Sequence, residues 1–252
     1  SCGFDEAISF SFIQQQTEFD LIPAFSDREV VQPELQNPII EDASSMRSTL
    51  LPGLLGALRH NLNHGIRDLR LFEIGKVFAS ANQGDLPEER LVLGLIITGG
   101  AIEENRAVAD RELDFFDLKG ALETGVGSMG LSPLVYTRGE AKHLRLGQAS
   151  AISLETGEKV GSAGRLSEAI ASVYKFRQPV FVAELDLSAV LSGPEKTVHY
   201  RPLARYPSVV RDISLLLDRN IQLEEILRAV DNQAITDCRG AKLVGVYEGV
   251  NI

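Results

Sequence analysis

The spacing of its strands is the feature that most limits how this chain of 252 residues can fold. Short segments of strand character cover 133–137, 147–154 and 158–166, and a further one begins at Pro179. They are joined by tight turns containing glycine or proline, whereas a parallel doubly wound sheet would need helices between nearly all of its strands. The spacing therefore predicts an α+β fold, in which an antiparallel sheet is flanked by a few helices.

The first half of the chain adds longer elements to this sheet. Alternating apolar residues predict strands over 6–13, 70–78 and 91–98, and helices are predicted over 49–62 and 114–130. In the strand of 70–78, Phe72, Ile74 and Phe78 fall on one side, with Glu73, Gly75 and Val77 on the other. The first helix carries one continuous apolar stripe, made of Leu51, Leu54, Leu55, Leu58 and Leu62. Pro52 fits only near the start of this helix, and Gly65 is a suitable stop.

Composition and charge narrow the classes of function. With 44% hydrophobic residues the chain can bury a substantial core, and its net charge of −10 argues against a general affinity for nucleic acid. The charge is uneven, however, because 196–211 contains four cationic residues and no acidic one. This strip is compatible with one confined contact to a polyanion, and a solvated linker explains it equally well.

Cysteine and histidine spacing predicts no metal site and no disulfide framework. Cys2 and Cys238 are far apart and form no CxxC pattern, which fits a reducing cytoplasm. His60 and His64 have the i, i+4 spacing of metal ligands, but no third ligand is evident. The longest apolar run, 91–100, is short and β-branched, so we interpret it as a buried strand and expect no contact with a membrane.

The end of the chain indicates a second domain. A polar segment with several prolines at 196–207 is interpreted as a linker between a domain over 1–195 and a smaller one over 208–252. In the smaller domain, a strand over 208–218, a helix over 221–233 and a strand over 241–249 are predicted. This β-α-β order is half of a ferredoxin-like unit and would form a poor core alone. We therefore expect the natural protein to continue past Ile252.

Five segments, taken together and in order, resemble one protein family. They are "SCGFDEAISFSFI", "NPIIEDASSMRSTLLPGLLGALRHNLNHG", "DLRLFEIGKVF", "LDFFDLKGALE" and "RYPSVVRDISLLLD". The resemblance covers nearly the whole chain, and the family is that of bacterial phenylalanyl-tRNA synthetase β subunits. It implies a catalytic-like class II synthetase module, followed by the start of a ferredoxin-like anticodon-binding domain, with the other modules of the family upstream.

The resemblance also implies that the nucleotide site of this module is vacated. In catalytic class II modules a strand leads into an Arg-x-Glu pair, whose arginine neutralises phosphate charge in the transition state. The matching positions in this chain are Ala79 and Ala81. The strand "VFVAELDLSAVL", which would match the third motif, lacks both its glycines and its arginine. We therefore predict no catalytic residue, and no metal or cofactor bound by this chain.

The partners follow from the resemblance as well. It implies an α2β2 assembly, in which the α subunit uses ATP and Mg to attach phenylalanine to tRNA(Phe). On this view the leucine helix meets the α subunit, although its stripe also fits an ordinary core helix; the interface candidates are Leu50, Leu54, Leu58, Arg59 and Asn61. The candidates for contact with tRNA are Arg201, Arg205 and Arg211.

Two other hypotheses remain open at this point. The chain could be a synthetase-like paralogue that regulates or scaffolds another enzyme. It could also be an independent enzyme that uses His143 and Asp117. The second of these requires a polar cleft around those residues. The usual His-Pro pair of the family is His143-Leu144 in this chain, which places any role of His143 in doubt.

Overall fold

The computed structural model describes residues 2–14, 31–39, 43–80, 82, 85–101, 111–193, 200, 207–233, 235 and 238–247. The chain divides into two units, Ser1–Val198 and His199–Ile252. The strands are Asp5–Glu6 (β1), Phe12–Ile13 (β2), Ser45–Met46 (β3), Leu69–Ala79 (β4), Glu88–Thr98 (β5), Val135–Arg138 (β6), Leu144–Ser153 (β7), Lys159–Leu166 (β8) and Val180–Asp186 (β9). The helices are Leu51–Asn63 (α1), Phe115–Ser128 (α2), Glu168–Tyr174 (α3), Leu187–Leu191 (α4) and Leu223–Asn232 (α5).

One seven-stranded sheet organises the first unit. Its strand order is β1-β4-β5-β9-β8-β7-β6, and every neighbouring pair is antiparallel except β1 with β4. A small antiparallel pair, β2 with β3, lies outside it. The antiparallel sheet predicted from strand spacing is therefore confirmed, and β6, β7 and β8 follow one another through short connections.

Helices cover the two faces of this sheet. The leucines of α1 pack on one face, with Leu71 and Val77 of β4, and we call this side the α1 face. On the opposite face, α2 packs against Leu95 and Ile97 of β5. In β4 the more deeply buried side is the one with Glu73 and Val77, on the α1 face.

The leucine helix forms where its sequence predicts. Pro52 lies in its first turn, where the missing N–H costs no helical hydrogen bond, and the chain leaves the helix through Gly65 with φ of 87°. Among its leucines, Leu51, Leu54 and Leu55 are completely buried. Burial of that stripe on the sheet stabilises α1, since a helix of 13 residues is marginal by itself.

The strand predicted over 6–13 is divided into two short strands. Between β1 and β2 the backbone N–H of Ser9 donates to the Glu73 carboxylate at 3.3 Å, and so it is not part of a β-ladder. The Ser9 hydroxyl donates to the same carboxylate at 2.8 Å. A buried carboxylate that needs donors has thus drawn this segment away from regular pairing.

In the second unit, the helix of the predicted β-α-β order is present as α5. The flanking strands predicted over 208–218 and 241–249 are not formed in the described residues of this unit, where no neighbouring strand supplies backbone hydrogen bonds. Their apolar side chains are exposed, Val210 and Val244 among them. Apart from residues 200 and 207, the predicted linker over 196–207 lies outside the described residues. Within the described ranges, no helix has both the length and the apolar character of a membrane span.

Candidate functional site

The end of β4 is where the resemblance places the first lost charge. Ala79 is the last residue of β4; it is buried and pairs in register with Glu88 of β5. The next residue, Ser80, exchanges two backbone hydrogen bonds of 3.0 Å with Val31. Ala81 lies outside the described residues. Ala79 thus carries only a methyl group, and the backbone beside it is already hydrogen-bonded to other segments of the chain.

A buried arginine lies on the α1 face beside this strand. The Arg47 guanidinium donates from Nη1 to Glu73 Oε1 at 2.6 Å and to Ser9 Oγ at 2.9 Å, and from Nε to the Lys76 carbonyl at 3.0 Å. A side chain at Gly75 would overlap this guanidinium, so the glycine is what lets Arg47 lie flat on the strand. Arg47 is therefore positioned by two segments of the chain, β4 and the N-terminal segment around Ser9.

A second buried carboxylate joins α1 to β9. Glu184 Oε1 accepts a hydrogen bond from Thr49 Oγ1 at 2.8 Å and another from the backbone N–H of Leu50 at 2.7 Å. Leu50 is the N-cap residue of α1, and its own side chain forms no cap. Because the N-terminal end of a helix favours a negative charge, Glu184 satisfies the start of α1 from a neighbouring strand.

A third carboxylate on the same face binds the second arginine. Arg90 Nη1 lies 2.6 Å from Asp186 Oδ2, and Arg90 Nη2 lies 2.6 Å from Glu88 Oε1. Asp186 also caps α4, accepting from the backbone N–H of Ala189 at 3.0 Å. Asp186 is almost completely buried, so its charge is neutralised inside the protein by Arg90.

These contacts place buried, hydrogen-bonded charges at the α1 face. The two guanidiniums that the structure describes on this face, Arg47 and Arg90, are each hydrogen-bonded to a carboxylate. The centre of the face is filled by α1, because a Cβ at Gly94 would lie 2.8 Å from Leu54 Cδ1 and 3.2 Å from Leu50 Cβ. Both guanidiniums are thus bound to carboxylates of the protein, and apolar side chains occupy the space above the sheet.

His143 is buried in an apolar environment. Its ring Nδ1 has no hydrogen-bond partner among the described residues, and its backbone carbonyl accepts from the N–H of Ser167 at 2.9 Å. Burial lowers the pKa of His143 to about 4, because the charged imidazolium is poorly solvated there. A histidine with that pKa is a weak base at neutral pH, and no described group binds its Nδ1 to orient the ring.

Asp117 belongs to the start of α2. It receives two hydrogen bonds of 2.7 Å from Arg111 and forms a capping box with Asp114. The hydrogen bonds from Arg111 hold the pKa of the Asp117 carboxyl below its usual value. One cavity of about 390 Å³ opens beside α4, and neither His143 nor Asp117 lines it. Its lining residues include Arg90, Thr156, Glu158 and Ser188.

The leucines expected at a subunit interface are in the core instead. Leu50, Leu54 and Leu58 are at most 1% exposed, packed between α1 and the sheet. No surface of these three side chains is left for another chain, so this part of the prediction is corrected. The stripe could not distinguish the two cases, since helical spacing shows that a face is apolar and not what covers it.

The remaining predicted contact residues are placed as follows. Arg59 is exposed, and its Cζ lies 5.4 Å from the centre of the Tyr174 ring. Asn61 is half-buried and donates to the Ala57 carbonyl at 2.9 Å. Arg211 is exposed and donates to the carbonyl of the preceding residue. The two other predicted tRNA contacts, Arg201 and Arg205, lie outside the described residues.

Sequence reasoning missed the buried charges that organise the α1 face. A signal was present, since Glu184 and Asp186 interrupt an otherwise apolar strand that the sequence places in the sheet. Charged residues are almost never fully buried unless they are paired. Their partners, Thr49 and Arg90, are distant in sequence, however, and no spacing rule connects them.

Comparison with known proteins places the chain in a family. The family described as phenylalanyl tRNA synthetase beta chain CLM domain matches residues 1–187. A phenylalanine–tRNA ligase β subunit of Geobacter sulfurreducens is 31% identical over 259 residues, which cover 99% of this chain and 31% of the relative. One of Pseudomonas syringae pv. tomato is 36% identical over 255 residues, covering 99% and 30%. The chain thus spans about a third of the length of these curated relatives.

Solved structures agree on the fold. A pyrrolysyl-tRNA synthetase of Desulfitobacterium hafniense superposes with a TM-score of 0.53 at 17% identity, covering 75% of this chain and 62% of that one. At this identity the likeness shows the fold alone, and it confirms the predicted class II synthetase architecture. With this fold, and with the family matched over 1–187, the chain belongs to the phenylalanyl-tRNA synthetase β-chain CLM-domain family.

Proposed function

We propose that this chain is a non-catalytic, structural and tRNA-positioning part of a phenylalanine–tRNA ligase β subunit. It supports an α subunit that attaches phenylalanine to tRNA(Phe) in a reaction using ATP and Mg. The chemistry takes place on the α subunit, and the assembly is an α2β2 heterotetramer. The proposal extends the family assignment to the activity in the relatives' name, phenylalanine–tRNA ligase β subunit, while the α subunit and the α2β2 assembly follow from the resemblance.

The observation that carries the non-catalytic part is the state of the α1 face around Ala79. Activation of a carboxylate by ATP requires cations aimed at the phosphate charge that develops in the transition state. Ala79 supplies none, and Arg47 and Arg90 are already bonded to Glu73 and Asp186. Freeing Arg47 would leave Glu73 buried and uncompensated, at a cost of about 3–5 kcal/mol.

Packing above the sheet supports the same view. Leu50 and Leu54 lie directly on Gly94, in the middle of the face on which Ala79 ends its strand. A nucleotide there would have to displace the first turns of α1, which Glu184 holds by its bond to the Leu50 N–H. The described residues of this face therefore do not fit a nucleotide.

The test is co-expression of the chain with the α subunit of the same organism. We expect both to elute as one complex of defined mass in size-exclusion chromatography with light scattering. The complex should charge tRNA(Phe), while the 252-residue chain alone should give no phenylalanine-dependent exchange of pyrophosphate into ATP. Exchange by the chain alone would overturn the non-catalytic assignment. A folded chain that never elutes with α would instead support the regulatory paralogue.

Arg59 and Asn61 are the two interface candidates whose side chains are not fully buried in the core. Their side chains can be removed without opening the core, because Arg59 is exposed and Asn61 bonds only to its own helix in the described residues. We expect Arg59→Ala with Asn61→Ala to weaken co-elution with α. The control is Arg138→Ala, an exposed arginine on β6. Equal co-elution of the double variant and the control would remove these residues from the interface.

A further inference from the structure

Exposed cations gather at one end of the first unit, although the chain as a whole is acidic. The end of α1 and the following loop, 59–68, together with the end of α3 and the following loop, 172–178, carry four of them: Arg59, Arg67, Lys175 and Arg177. Asp68 is the one acidic residue in these two stretches, against a net charge of −10 for the chain. We call these four side chains the basic surface.

Contacts between the two stretches make the surface continuous. Arg59 lies over the ring of Tyr174, and Gln178 Nε2 donates to the backbone carbonyl of Arg67 at 2.7 Å. Between these two contacts, Tyr174 and Phe176 turn inward and stack with ring centres 5.4 Å apart. Lys175 and Arg177 alternate with them and are exposed. The alternation thus directs both cations outward from an aromatic base.

The charges of this surface are not neutralised by the described residues. None of its four cations forms a salt bridge with an acid that the structure describes, in contrast to Arg90, Arg111 and Arg165 elsewhere in the unit. Asp68 is engaged, since its Oδ1 accepts from the Gly100 N–H at 2.6 Å. Exposed cations such as Lys76 and Arg111 are paired with an acid, whereas the four cations of the basic surface lie close together without one, so their charge is available to an external anion.

We propose that the basic surface binds the phosphate backbone of folded RNA. That this RNA is tRNA rests on the proposed function. Clustered arginine and lysine side chains beside aromatic rings are typical of phosphate contacts, which position an RNA without reading its sequence. The surface lies wholly within the first unit, whereas Arg201, Arg205 and Arg211 belong to the second unit by their sequence positions. It would give this unit its own contact with tRNA.

Arg59 is left out of the test because it is also an interface candidate. Arg67→Gln with Arg177→Gln removes two charges from adjacent loops, and both side chains are exposed, so the fold should be unaffected. Arg67→Lys with Arg177→Lys keeps the charge. The matched control is Arg138→Gln, since Arg138 is also exposed and forms no salt bridge with a described residue. Far-UV circular dichroism checks that each variant is folded.

Binding of a tRNA(Phe) transcript to the whole chain is measured by fluorescence anisotropy over a series of salt concentrations. Each lost phosphate contact lowers the slope of log affinity against log salt by about 1, so the glutamine double variant should lose about 2. The lysine double variant should bind like the parent chain. The control, Arg138→Gln, should leave the slope unchanged.

Three results would overturn the proposal: no salt-dependent binding by the parent chain, equal slopes for parent and glutamine variant, or the same loss in Arg138→Gln. Co-elution of each variant with the α subunit is measured in parallel. If the glutamine variant loses α and keeps its tRNA slope, the surface contacts protein and not RNA. If it keeps α and its tRNA slope is unchanged, the RNA surface fails while the proposed function stands.

Discussion

Arg47 Nη1 lies 2.6 Å from Glu73 Oε1, and both side chains are at most 5% exposed. An ion pair this deeply buried loses much solvation, which its remaining hydrogen bonds must offset. Ser9 and the Lys76 carbonyl supply those bonds. The pair therefore ties the N-terminal segment and the approach to α1 onto β4. It also engages Arg47, which with Arg90 is one of the two guanidiniums that the structure describes on the α1 face.

Removing one charge of this pair should be strongly destabilising. We expect Glu73→Gln to lower the free energy of unfolding by about 3–5 kcal/mol, because Arg47 would remain buried without a counter-charge. Urea denaturation measures the change. The matched control is Glu89→Gln, which breaks the exposed pair with Lys76 and should cost under about 1 kcal/mol. Similar losses for both variants would show that burial does not govern the Arg47–Glu73 pair.

A methyl group added at Gly94 should disturb the packing of α1 on the sheet. Its Cβ would lie 2.8 Å from Leu54 Cδ1, so Gly94→Ala should cost about 1–3 kcal/mol through overpacking. Gly56→Ala is the control, because a Cβ on that side of α1 meets no atom within 4 Å. That change should stabilise the chain by about 0.5–1 kcal/mol. Thermal unfolding distinguishes the two, and a stabilising Gly94→Ala would refute the contact.

The cap of α2 can be tested by a pair of substitutions at Asp114. Its side chain accepts from the backbone N–H groups of Phe116 and Asp117 at 2.7 and 3.2 Å. Asp114→Ala should therefore destabilise the chain by about 1 kcal/mol, while Asp114→Asn, which can still cap, should stay close to the parent. Urea midpoints report both changes. If asparagine is as costly as alanine, the charge and not the cap stabilises this end of α2.

His143 should make the stability depend on pH. The folded chain holds the pKa of His143 at about 4, below its ordinary value of 6.5, so the unfolded chain takes up the proton first as the pH falls. Stability from this group is fully present above pH 6.5 and is lost as the pH falls towards 4. At pH 4.5 the loss should be about 2.5 kcal/mol relative to pH 7.

His143→Leu removes this proton-binding group and places an apolar side chain in the core instead. We expect the variant to lose about 2.5 kcal/mol less than the parent between pH 7 and pH 4.5, measured by urea denaturation at both values. Carboxylates titrate in the same range, but they contribute equally to parent and variant and cancel in the difference. Parallel losses in the two proteins would show that His143 is accessible to protons in the folded chain.

Local patterns predicted most elements of the first unit, and they failed at particular places. The stripe of α1 and the alternation of β4 carry their own signal, because a helix and a strand each repeat over a few residues. β1 and β2 were predicted as one strand, since the pattern in 6–13 contains no sign that Ser9 bonds to Glu73. The strands over 208–218 and 241–249 have suitable residues and lack neighbours to pair with in the described unit.

The sequence by itself determined the class of fold and the position of the leucine helix, and it places alanine at positions 79 and 81. Only the tertiary structure decided what covers the leucines, because a stripe does not specify its partner. It also decided that Glu184 caps α1 and that Asp186 neutralises Arg90. The residues joined by these two hydrogen bonds are 134 and 96 positions apart in the sequence. Such pairs form because burial in an apolar interior requires every charge to find a partner, and that partner is selected by proximity in the folded chain.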